Sequence, residues 1–175
     1  MTPVAYLDVD GVLADFVGGV CKLYQTTFDE LRMNWKPGSY AIEKALGVSL
    51  DEMWGKIHYK GAGFWESLEV MPYAYRMVEQ ACEAWGPENV VFVTSPSTDP
   101  FSSVGKIRWI HKHFPQFERR FCITPVKWLF AHPEATLIDD YDHNINEFCQ
   151  RGGLTKLVPR YWNSLYLLSD MEFHV

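Results

Sequence analysis

Cysteine, long apolar runs and dense positive charge are all scarce in this chain of 175 residues. Its four cysteines, Cys21, Cys82, Cys122 and Cys149, form no C-x-x-C pair and no metal-like spacing with histidine. That argues against a disulfide framework or a zinc site, and each thiol is expected to be a small buried apolar residue in a reducing compartment. No apolar run approaches the roughly 20 residues that a membrane span needs. No basic stretch with an apolar signal core precedes Val4, so a cytoplasmic protein without a membrane partner is expected. Lys and Arg number 16 against 22 Asp and Glu, a formal net charge of -6, and no basic block stands out. This disfavours capture of an extended nucleic-acid backbone. A small anionic substrate stays open, because a metal ion and one lysine can reverse the potential locally. Internal repeats and low-complexity tracts are also missing.

What is present is an ordinary globular composition, 47% hydrophobic and 22% charged. Short, continuously apolar runs recur at Val4–Leu7, Val90–Val93, Phe121–Ile123, Thr136–Ile138 and Lys156–Val158. Such runs suit a parallel sheet covered on both faces. Between them lie stripes of helical period: Val78, Ala81, Cys82, Trp85; Ile107, Ile110, Phe114; and Ile145, Phe148, Cys149. The alternation predicts an α/β fold, a Rossmann-like parallel sheet flanked by helices. From Phe28 to Glu69 the rhythm breaks, with no strand and many aromatics. The reading is a small helical cap insertion at 28–69, set into a core made of 1–27 and 70–175. Ser49 is placed to cap one helix of the insertion.

Polar residues just after strands carry the functional information, because ligands of open parallel sheets bind at the carboxyl ends. The first strand ends in Asp8-Val9-Asp10-Gly11. Residues two apart in extended backbone point the same way, so the two carboxylates converge and call for a cation between them. Magnesium, which prefers carboxylate oxygens and water, fits. Such a pair can divide labour, one carboxylate attacking phosphorus and the other handling the proton of the leaving oxygen. A plain turn after a strand explains the same four residues equally well. Thr94-Ser95 follows the second strand and offers hydroxyls and amides to a phosphate. Asp139-Asp140 follows Thr136-Leu137-Ile138, where a helix cap would explain one aspartate but not both. A lysine must offset the charge. Lys106, read as opening a helix that runs to Phe114, is preferred over Lys127, which follows the next strand. It is the ordered set, not any member, that points to phosphoryl chemistry.

With those residues in place, Asp8-Val9-Asp10-Gly11-Val12-Leu13-Ala14-Asp15-Phe16 resembles the first motif of the haloacid dehalogenase superfamily. Its long form resembles the 5'(3')-deoxyribonucleotidase branch. Thr94-Ser95-Pro96, Lys106 and Leu137-Ile138-Asp139-Asp140 resemble the second, third and fourth motifs. The resemblance implies Asp8 as nucleophile forming an aspartyl-phosphate. It implies Asp10 as general acid and then base, its carbonyl on magnesium. Asp140 would ligate the metal directly with Asp139 in support, so the implied metal set is Asp8, Asp10, Asp139 and Asp140. Thr94, Ser95 and Lys106 would hold the phosphate, and Phe16 would stack near a nucleobase with Trp65 or Phe64 beside it. Two positions depart from the branch. Pro125 stands where it usually has Arg, and Tyr141-Asp142 stands where it often has Arg-Pro. The expected substrate is a small phosphomonoester, a deoxynucleotide by resemblance. Another phosphometabolite, a nucleic-acid 3'-phosphate or a non-catalytic module on the same fold are the alternatives. The choice between monomer and homodimer stays open.

Overall fold

The computed structural model describes residues 2–170. Residue 1 and residues 171–175 of the expected core lie outside the described residues. In chain order the elements are β1 (Val4–Leu7), α1 (Phe16–Leu23), α2 (Phe28–Arg32), α3 (Ile42–Ala45), α4 (Leu50–Lys60), α5 (Ala62–Glu66) and α6 (Ala74–Trp85). There follow β2 (Val90–Thr94), α7 (Phe101–His113), β3 (Phe121–Ile123), β4 (Ala135–Asp139), α8 (Asp142–Gln150) and β5 (Leu154–Leu157). The five strands form one sheet of order β3-β2-β1-β4-β5, every pairing parallel. The chain therefore winds outward from β1 to β3, then returns to place β4 on the other side of β1. That reversal makes the topological switch point where such sheets hold ligands.

All five residues of β4 are buried, as an interior strand covered on both faces requires. Residues 28–69 contribute four short helices. Ser49 accepts from Glu52 N at 3.1 Å and so caps α4. Trp35, Ile57 and Trp65 from this stretch belong to the same buried cluster as Leu7 and Val20, so the helices share the main core rather than building one of their own.

Three expectations are corrected. The fifth strand runs from Leu154 to Leu157, two residues early, because Leu154 pairs with Thr136. At the end of the sheet order it pairs on one side only and tolerates an exposed Leu154. Helix α7 begins at Phe101, not Lys106. Asp99 Oδ1 accepts from Phe101 N at 3.1 Å, and Asp99 O from Ser102 Oγ at 2.7 Å. Gly105 does not break this helix. A Cβ there would lie 2.4 Å from Ala62 O, so the glycine lets α7 press against α5. Finally, Cys149 is exposed, Cys82 and Cys122 are half-buried, and only Cys21 is buried; all four are free thiols. No helix among the described residues is long and apolar enough to cross a membrane.

Candidate active site

The sheet order sets three strand ends side by side. Leu7 is level with Phe92 on one flank and Ile138 on the other, so Asp8, Thr94 and Asp139 share one edge. Past Asp8 the chain turns at once: Leu13 N donates to Val9 O and Gly11 N to Ala14 O, both at 2.8 Å. Gly11 has φ +77°, and a Cβ on it would meet Asp140 Oδ2 at 2.3 Å. Both the left-handed turn and the acidic neighbour demand glycine.

Asp8 is 6% exposed. Its Oδ1 accepts from Val9 N at 2.8 Å and pairs with Lys127 Nζ at 2.7 Å. Lys127, at the start of a single 3-10 turn, also pairs with Asp139 Oδ2 at 2.7 Å. Asp139 in turn accepts from Tyr141 N at 2.8 Å and from Asn144 Nδ2 at 3.0 Å, so its two oxygens serve protein donors. Asp140 Oδ2 accepts from Trp162 Nε1 at 2.6 Å and Tyr40 Oη at 2.9 Å. Its backbone carbonyl takes Asn163 Nδ2 at 2.8 Å.

On the other flank, Lys106 Nζ donates to Asp10 Oδ2 at 2.5 Å, to Thr94 Oγ1 at 3.1 Å and to the Ser95 carbonyl. Thr94 Oγ1 donates to the same Asp10 oxygen at 3.1 Å, while Ser95 Oγ bonds Thr124 O at 3.3 Å. Both lysines therefore enter the site, each beside a different aspartate.

Electrostatics separate these groups. Burial pushes the Asp8 carboxyl up to about 7; Lys127 opposes the rise, while Asp139 and Asp10 add to it. Burial likewise raises Asp140, with the charges of Asp139 and Asp8 adding and the Trp162 and Tyr40 hydrogen bonds opposing. Burial alone would lower Lys127, but Asp139 and Asp8 outweigh it and raise the ammonium. One ammonium thus faces more buried negative charge than it can neutralise. Oxygens of Asp8, Asp139 and Asp140 lie within 4.8 Å of one another. An all-oxygen cluster with surplus negative charge of this kind fits a hard divalent cation.

Above the cluster a cavity of about 840 Å³ opens. Its lining includes Asp8, Asp10 and Lys127 together with the rings of Phe16, Trp54 and Trp65. Phe16 stacks on Trp65 at 5.7 Å and 25°, and Trp54 lies 6.1 Å from Phe16 and 6.4 Å from Trp65. Phe64 sits buried behind Phe16, edge-on.

Contributors not read from the sequence are Tyr40, Trp54, Asn144, Arg160, Trp162 and Asn163. Arg160 Nε donates to Gly11 O at 2.7 Å and ties the last segment to the Asp8 turn. Burial pushes its guanidinium down to about 10, against the pull of Asp15. The available signal was Pro159-Arg160-Tyr161-Trp162-Asn163, a knot of aromatic and polar residues after the last strand.

Two expected results follow from this geometry. Trp162→Phe keeps a ring against Trp35, on which the indole now stacks at 5.7 Å and 8°. It removes the N–H held by Asp140, and divalent-cation affinity by calorimetry should weaken about 10-fold; unchanged affinity would show that the indole only packs. The second concerns pH. Without metal, folded Asp8 keeps its proton up to about 7, against about 3.9 for an aspartate in an unfolded chain. Its contribution to stability is therefore full below the lower value and is lost as pH rises through the higher one. A divalent cation competes with that proton, so adding one should raise the melting temperature more at about pH 8 than at about pH 5.5. Equal rises would place the metal elsewhere.

The chain is similar to known proteins over most of its length. The family model of 5' nucleotidase, deoxy (pyrimidine), cytosolic type C protein matches residues 2–161. The human cytosolic-type 5'(3')-deoxyribonucleotidase is 33% identical over 144 residues, covering 78% of this chain and 69% of that protein. The mouse mitochondrial 5'(3')-deoxyribonucleotidase is 30% identical over 146 residues, covering 77% and 62%. Among solved structures, a haloacid dehalogenase-like hydrolase from Streptococcus pneumoniae superposes with a TM-score of 0.54 at 16% identity, covering 99% of this chain and 92% of that one. L-2-haloacid dehalogenase from Xanthobacter autotrophicus gives 0.52 at 12%, covering 96% and 82%. At such identities these two establish the fold alone: a haloacid dehalogenase-like α/β core.

Proposed function

The chain belongs to the family of cytosolic type C 5' nucleotidases, deoxy (pyrimidine), and from that membership we propose a magnesium-dependent phosphomonoesterase acting on deoxyribonucleoside monophosphates. One observation carries the reading. Asp8, held through Oδ1 by Lys127 and Val9 N, stands in an acidic cluster and lines a cavity shared with Phe16, Trp54 and Trp65.

In this reading Asp8 Oδ2 attacks phosphorus while Oδ1 stays held, and the bond from phosphorus to the nucleoside oxygen breaks. Asp10 gives its proton to that departing oxygen, releasing the nucleoside. Asp10, now a carboxylate, takes a proton from water, whose oxygen attacks the aspartyl-phosphate; inorganic phosphate leaves and Asp8 is regenerated. Asp8, Asp140 and the Asp10 carbonyl would hold the magnesium ion, with Asp139 acting through Lys127. Bound there, the ion supplies the positive charge that neutralises phosphoryl oxygens crowded against carboxylates. Lys127 adds a buried ammonium paired with the attacking group. Phe16, Trp54 and Trp65 would supply the rings against which a planar base packs, since rings pack on rings. Residues 28–69, which bring Trp54 and Trp65, act in this reading as the cover of the site.

The test is phosphate release from a panel of 5' and 3' deoxyribo- and ribonucleotides and sugar phosphates, with magnesium. Turnover of deoxynucleotides is expected. Turnover of sugar phosphates alone would overturn the substrate class, and turnover of nothing by folded protein would overturn the phosphatase.

A further inference from the structure

Lys106 has surroundings at odds with a phosphate ligand. It lies on α7 and is 2% exposed. An ammonium carries three N–H donors, and Lys106 has three protein acceptors: Asp10 Oδ2, Thr94 Oγ1 and the Ser95 carbonyl. The Trp65 ring closes another side, its centroid 4.5 Å from Nζ. A phosphate oxygen could reach this group only by displacing one of them. Lys127 has two such acceptors among the described residues, which leaves it an N–H for a phosphate.

The acceptors of Lys106 share a logic. Two donors, Lys106 Nζ and Thr94 Oγ1, converge on one oxygen of Asp10. The other, Oδ1, is buried and has no hydrogen-bond partner. A carboxyl group that must pass a proton needs one oxygen clamped and the other uncommitted. The backbone beneath Lys106 is itself held, since α7 meets α5 at Gly105 with no room for a Cβ.

We propose that Lys106 is a positioning residue for proton transfer: with Thr94 it clamps Asp10 Oδ2, so that Oδ1 carries the proton to the leaving oxygen, and it does not grip the phosphate. The proposal rests on the reading of Asp10 as the acid. It separates the two lysines, Lys127 serving the attacking aspartate and Lys106 the proton-donating one.

The test exploits leaving groups. The alcohol of a deoxynucleotide needs a proton to depart, whereas p-nitrophenyl phosphate expels a phenolate that does not. The quantity to compare is kcat/KM, which covers only binding and the steps through formation of the phosphoenzyme. Lys106→Met should lower it about 100-fold or more for the deoxynucleotide and far less for p-nitrophenyl phosphate. Inhibition by inorganic phosphate should stay within about 3-fold, against the 10-fold that a lost 1.4 kcal/mol contact would bring. Equal losses on both substrates with weakened phosphate inhibition would mean that Lys106 holds the phosphate, overturning the proposal. Small losses on both would overturn it too, leaving a packing role. If Lys106→Met does not fold, Thr94→Val, which removes the other clamping donor, must show the same leaving-group dependence. Wild-type protein inert on both substrates would sink the phosphatase reading itself, a distinct result.

Discussion

Asp8→Asn is expected to end phosphate release, by about four orders of magnitude or more, because no neighbouring group can replace the attacking oxygen. The substitution is isosteric, and the Val9 N–H can still bond the retained carbonyl oxygen. Burial and the charges of Asp139 and Asp10 already press this carboxyl toward its neutral form. Removing its charge therefore relieves repulsion, and Lys127 keeps Asp139 as partner. Metal-free Asp8→Asn should accordingly melt no lower than the wild type near neutral pH. Lost activity with retained or raised stability is the combination that marks a nucleophile. Activity within about tenfold of wild type would remove Asp8 from that role.

Lys127→Met should fail differently, losing both activity and fold stability. The lysine is 2% exposed between Asp8 and Asp139. Breaking a buried pair by deleting one partner costs about 3–5 kcal/mol, since the other charges stay buried without compensation. Loss of a preorganised positive group beside the phosphoryl site lowers kcat by about 10²–10³. Denaturant unfolding in chelator gives the stability difference, and steady-state kinetics with magnesium gives the other. Magnesium should recover part of the stability and little of the rate, because it can offset carboxylate repulsion but cannot stand at the ammonium's position. A variant as stable as wild type without metal would mean that the carboxylates are neutral there, against the raised Lys127 ammonium.

Much of the site was legible because its signals are local. Asp8, Asp10 and Gly11 announce a strand end and a sharp turn within four residues, and the structure adds that Gly11 must also admit Asp140 Oδ2. The choice between lysines was not legible in the same way. Lys106 looked like a helix start, but Asp99 and Ser102 begin that helix earlier, and the lysine sits on a buried stripe with Ser102, Gly105 and Trp109. Lys127 lies on a 3-10 turn with no periodicity to mark its direction. Cys149 followed the apolar stripe of α8 in sequence yet is exposed, because only Phe148 of that helix is fully buried.

By itself the sequence determined the alternation of strands and helices and the polar residues that stand at the strand ends. Each of these depends on residues within a few positions of one another, where side-chain period and turn preference act. Only the tertiary structure decided which charges meet. The return of β4 to the side of β1 brings Asp139 and Asp140 against Asp8. The segment after β5 carries Arg160, Trp162 and Asn163 back to Gly11 and Asp140. Such partners are chosen by sheet order and by where buried polar groups find donors, and no local pattern encodes either.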